Sequence, residues 1–213
     1  MADNPGFKKV TARTAREVCQ LAELDLAELP AVGPEQTPRS YLDVLWRQQK
    51  YPDGVKFLAA ALPKREAIWW GCLCLHQAGH DREPADAAMM AAIMRWVQEP
   101  TEARRKEAEK LTPGENPLGF LLRAVLWTGG SLAPAGAPEV APGPQLPAKG
   151  VSGAVLLAAV LGPPEATLDR FRDYLALGML VGRELAAIPT ARPAGAPLRA
   201  GPPPRPGPTP PRR

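Results

Sequence analysis

The chain has 213 residues, 45% of them apolar, and a formal charge of +4. That is enough for one ordinary domain with a buried core. The charge invites a nucleic-acid reading, but its location excludes one for the body of the chain. From residue 188 onward there are five arginines (Arg192, Arg199, Arg205, Arg212, Arg213) and no acid, so the remainder carries one net negative charge. No apolar stretch approaches the roughly 18 residues a membrane span needs. The opening MADNPGFKKV has no apolar run behind its lysines, so no secretory signal is expected. Three cysteines do not make a disulfide framework. The composition therefore points to a cytoplasmic protein without membrane insertion and without a specific nucleic-acid partner.

In chain order, nearly every patterned stretch reads as helix. Thr14 and Glu17 have capping-box spacing. Val18, Leu21, Ala22 or Leu24, and Leu29 continue a stripe that ends at Pro30. Thr37 caps a second helix with Pro38 at its first position. A third is expected from Asp53 and a fourth from Pro63 to Gly79. A fifth runs from Pro84 to about Gln98. The sixth, TEARRKEAEKL, is charged nearly all round and reads as a surface helix with mixed charges. A seventh follows Asn116-Pro117 and stops at Gly129-Gly130. Residues 129–150 are rich in proline and glycine and read as an extended strap. Helices over about 151–161 and 164–187 carry apolar faces too large to leave in water, and so are expected to dock on the first seven. The reading is all-α: one bundle-like domain over residues 9–187 with about nine helices, then a disordered Pro/Arg-rich tail over 188–213.

The densest stretch is PKREAIWWGCLCLHQAG, residues 63–79. On a helical wheel it is apolar almost all round, which suits a central helix. Cys72, His76, Cys74 and His80 do not converge as a tetrahedral metal set needs, since Cys74 points away from the face shared by Cys72 and His76. A Cys72–His76 nucleophile pair among Trp, Leu and Ile would have its thiol pKa raised, against thiolate formation. Arg65 falls inside the apolar face. It must therefore meet a carboxylate or the carbonyls of another helix end, and an ion pair pinning the packing is the expectation. Lys64 and Arg65 at a helix start also allow an anion site. Trp69, Trp70, Glu66 and His76 complete the candidate set. Met89, Met90, Ile93, Met94 and Trp96 read as core rather than as a peptide groove. Asp169, Asp173 and Glu184 lie among Arg170, Arg172 and Arg183 and read as solvated helix pairs.

No phosphate-loop, dinucleotide, nucleophile-elbow or zinc-protease motif occurs, so no cofactor and no metal is expected. The tail ends PTPPRR, in which Pro208, Pro211 and Arg213 form a P-x-x-P-x-R pattern suited to docking on an aromatic groove. The functional expectation is an interaction protein, an adaptor or accessory subunit with an unidentified protein partner. The alternatives are an enzyme of unrecognised type around Arg65, Glu66 and His76, and a weak binder of anionic polymers through the basic tail.

The block FLAAALPKREAIWW, Phe57–Trp70, resembles the hallmark of an uncharacterised bacterial family, a domain of unknown function. WTGGS at 127–131 and GAVLLAAV at 153–160 resemble two further segments of that family, with Thr128 where a serine is expected. The resemblance spans roughly residues 15–187. It implies an all-helical fold and an association with secretion loci, and carries no established activity.

Overall fold

The computed structural model describes residues 7–188 apart from 135 and 185. Four of the helices among the described residues begin where a side chain takes up a free N–H group. Thr14 Oγ1 accepts from Glu17 N–H at 3.3 Å at the start of α1 (Ala15–Leu21). Glu17 reaches back to the N–H of Arg13 at 3.0 Å, one residue before the cap. Thr37 caps α2 (Pro38–Arg47) through the N–H of Ser40. α3 (Tyr51–Ala61) begins two residues before the expected Asp53, because Pro52 is tolerated in a first turn. α4 (Lys64–Ala78) ends on Gly79 at φ 77°, the left-handed conformation that glycine adopts freely. α5 is Pro84–Gln98, and α6 (Glu102–Glu109) is capped by Thr101. α7 (Pro117–Leu126) is capped by Asn116, whose Oδ1 accepts from Gly119 N–H at 2.7 Å.

Several boundaries differ from the sequence reading, and α7 ends at Leu126, ahead of the expected stop at Gly129-Gly130. α8 spans Leu146–Val160 and takes five residues from the expected strap. Its opening LPAKG looks like loop by composition, yet proline in the first turn suits a helix start. A single 3-10 turn (Pro164–Ala166) precedes α9 (Thr167–Gly182), which stops five residues short of the expected end. There Glu184 takes φ 63° and turns the chain back. The first helix also ends early: Leu21 is half exposed, and Leu24 and Leu29 follow in irregular chain. No strand occurs among the described residues.

α4 and α8 are the inner pair. α4 packs on α5, α7, α8 and α9, and α8 packs on α3, α4, α7 and α9. α1, α2 and α3 pack together, as do α5, α6 and α7. This explains why α4 lacks a polar stripe: Ala67, Ile68, Trp69, Trp70, Cys72, Cys74 and Leu75 point at different neighbours and all are buried. The Trp70 ring has no exposed surface, and α9 approaches it at Gly178, where a Cβ would lie 2.8 Å from the indole. Only glycine lets the two helices come that close. The strap crosses the surface with Leu132 N–H bonded to the Val140 carbonyl at 2.8 Å.

Candidate functional site

The candidate residues lie at both ends of α4, and the two ends differ. At the first turn, Arg65 Nε donates to the Val97 carbonyl at 2.7 Å and Nη2 to that of Gln98 at 3.2 Å. These are carbonyls at the end of α5, left without helical partners. The expected ion pair is thus replaced by a clamp of α4 onto the C-terminal end of α5. No carboxylate of the described residues lies within 4.0 Å of Arg65. Glu66 instead meets Lys9 at 3.7 Å, and Lys9 also meets Glu184 at 3.2 Å. This short chain of charges ties three segments distant in sequence.

Next along the helix, the two tryptophans hold different parts of the chain. Trp70 Nε1 donates to the Tyr174 carbonyl in α9 at 2.7 Å, inside the core. Trp69 Nε1 donates to the Ala186 carbonyl at 3.1 Å and holds the segment that leaves α9. A cavity of about 300 Å³ opens there, lined by Lys9, Arg65, Glu66, Trp69 and Glu184 among others. A second, of about 290 Å³, lies across Arg65 and is lined by Lys64, Trp96, Thr101, Glu102, Arg105 and Thr128.

Arg105 was missed by the sequence reading. It sits in a run that looks solvated, yet it is 4% exposed. Nε and Nη2 hold both oxygens of Glu102 at 2.7 and 2.6 Å, and Nη1 lies 3.4 Å from Glu109. The guanidinium beside Glu102 holds that carboxyl below its usual range. Gly130, at φ 74°, packs on the guanidinium, and a Cβ there would lie 2.7 Å from Nη2. Two signals could have found it: the spacing of Glu102, Arg105 and Glu109, and the paired glycines needing a neighbour without room for a Cβ.

His76, at the other end of α4, is placed in solvent rather than in the apolar face: its side chain is 76% exposed and Nδ1 lies 2.6 Å from Asp81. Eleven residues of helix separate it from Arg65, about 16 Å of rise. Arg65 and Glu66 therefore share a cavity wall, and His76 is not brought to it. Burial lowers the pKa of His80, against the opposing pull of Asp86 and Asp81. Cys72 and Cys74 are buried and their thiols are pushed well up by loss of solvent. Burial also raises Cys19, to about 11. Such thiols stay protonated and are poor nucleophiles. No group of three His, Cys, Asp or Glu side chains among the described residues could hold a metal ion. No helix among them is long and apolar enough to cross a membrane. Met90, Ile93 and Trp96 are buried, with Met89 and Met94 partly so, as core residues. Pro208, Pro211 and Arg213 lie outside the described residues.

The profile of a family described as a family of unknown function, DUF6931, matches residues 41–181. The chain belongs to that family. The match begins inside α2 and ends in α9, so it omits α1 and is shorter than the span of 15–187 that the resemblance implied. It contains the Phe57–Trp70 block, WTGGS and GAVLLAAV. In DUF6931 terms, the first two of these segments meet at the cavity beside Arg65, which touches Lys64, Arg65, Thr128 and Gly129. Neither a curated protein nor a solved structure matches the chain.

Proposed function

We propose that this chain is an interaction protein, an adaptor or accessory subunit that docks on a protein partner in the bacterial cytoplasm. One observation carries the reading. The corner between α8 and α9 leaves Val160, Leu161 and Leu168 between 46% and 52% exposed, with Gly162, Pro163 and Pro164 exposed between them. Scattered apolar side chains on a surface need no explanation, but here three stand at a single helix corner.

The corner is also held in shape. Arg170 Nε donates to the Ala159 carbonyl at 2.7 Å, and Nη2 to the Pro163 carbonyl at 3.0 Å and to Thr167 Oγ1 at 3.1 Å. A surface already ordered in its bound shape gives up less entropy on association. These side chains are already about half covered, so covering the rest contributes about 1 kcal/mol each.

The test compares the full chain, a Leu161→Asp/Leu168→Asp double variant, and Leu26→Asp as an apolar control elsewhere on the surface. Each is captured from the native host and its bound proteins identified. The reading expects a partner that the wild type and Leu26→Asp retain and the corner variant loses. Retention by the corner variant overturns the assignment of the docking surface.

A further inference from the structure

We propose that the cavity between the start of α4, the α5–α6 junction and the end of α7 binds the phosphate group of a small molecule. The cavity, about 290 Å³, is lined by three cations, Lys64, Arg65 and Arg105, and by one carboxylate, Glu102. Glu102 is already committed: both its oxygens are held by Arg105. Arg105 is further matched by Glu109. Lys64 and Arg65 are left as the unmatched pair. Neither has a carboxylate within 4.0 Å among the described residues.

The placement of Lys64 makes that imbalance worse. It stands in the first turn of α4, where the helix dipole is positive and cations are disfavoured, whereas the Arg65 guanidinium lies on the C-terminal carbonyls of α5, a helix end that favours a cation. The contact of Arg65 with the end of α5 explains its own position through two of its nitrogens, and leaves Nη1 without a partner among the described residues. Lys64 is exposed at the mouth and has no such explanation. An anion there would offset the unfavourable placement of Lys64 and supply the counter-charge that the α5 carbonyls do not give Arg65.

The donor set selects the kind of anion. A guanidinium edge and an ammonium together supply two positive charges, which suits a dianionic phosphate better than a single carboxylate. Thr101 Oγ1 accepts from Arg104 N–H at 3.4 Å, so its own hydrogen remains available to an oxyanion. Trp96 and Pro100 give the cavity an apolar wall. The volume lies at the lower end for small-molecule sites, so it suits a sugar or glycerol phosphate rather than a dinucleotide.

The full chain is titrated with inorganic phosphate, glycerol 3-phosphate and chloride at one constant ionic strength, and binding is read by calorimetry. Lys64→Glu is the test variant and Lys56→Glu, an exposed lysine on α3 and outside the cavity, is the control. Circular dichroism checks that both remain folded. Saturable binding of the phosphate probes but not of chloride is expected. Lys64→Glu should weaken it by about ten-fold or more, because a close favourable charge becomes a repulsive one. Lys56→Glu should change it by less than about two-fold, since distant surface charges are screened. Tighter binding of glycerol 3-phosphate than of inorganic phosphate supports a phosphate ester with its organic part on the Trp96 wall. Equal binding supports a site for free phosphate. A response no different from chloride, or equal losses in the two lysine variants, overturns the proposal.

Discussion

The two ends of α4 make an instructive pair. Both carry polar side chains on a helix that is otherwise apolar. At the first turn, Arg65 and Glu66 are drawn into contacts with α5 and with the N-terminal segment, while Trp69 holds the chain beyond α9. At the last turn, His76 reaches only Asp81, five residues away, and stands in solvent. Residue type does not separate the two ends. What separates them is whether another element supplies unmet hydrogen-bonding groups opposite. The open carbonyls of α5 do so at one end, and at the other His76 meets no hydrogen-bonding group of another helix among the described residues.

That contrast can be broken by substitution. Trp70→Ala removes the ring at the centre of the packing and should cost about 3–5 kcal/mol in denaturant unfolding. Full burial and the loss of the bond to Tyr174 favour the upper part of that range. Next in size, Arg65→Met keeps the stem but leaves two α5 carbonyls unmet. A loss of about 1–3 kcal/mol is expected, with lysine recovering only part of it. Chemical denaturation of both variants checks the order, and a neutral Arg65→Met would dissolve the clamp.

Trp69→Phe sharpens the comparison further. It preserves most of the ring and removes one hydrogen bond to Ala186, so about 1 kcal/mol should be lost. Amide exchange should rise locally in residues 186–188 and little elsewhere. At the far end, His76→Ala should fall within about 0.5 kcal/mol of the wild type by the same unfolding measurement. The smallest effect concerns His80. Burial depresses its pKa, so the folded chain binds that proton less readily than the unfolded one. Its contribution is intact above about pH 6.5 and is lost as the pH falls below that value toward the folded pKa. Thermal unfolding followed with pH should therefore show a decline on the acid side of that value that is shallower in His80→Gln.

Much of this was legible beforehand. The threonine and asparagine caps, the stop at Gly79, and the all-round apolarity of the fourth helix come from rules that act within one or two turns. The need of Arg65 for a partner was legible too, because a guanidinium in an apolar face cannot be left unpaired. Its actual partner was not, since Val97 and Gln98 lie more than thirty residues away and their availability depends on where α5 ends. The same limit hid Arg105, which looks like its neighbours Arg104 and Lys106 until α7 delivers Gly129 and Gly130 onto it. It also misplaced His76. A helical wheel assigns a residue to a face but does not say how far along the axis the neighbouring helices extend.

The sequence by itself determined that the chain is helical, where most helices begin, and that α4 must be enclosed. These follow from local hydrogen bonding and from the cost of apolar surface in water. Tertiary structure alone decided that α8 lies beside α4 together with α5 and α7, that Trp69 and Trp70 hold different segments, and that Lys64 and Arg65 share a cavity with Arg105. Those outcomes depend on which close-packed arrangement of the nine helices among the described residues fills the interior, and pairings over a hundred residues apart leave no periodic trace in the chain.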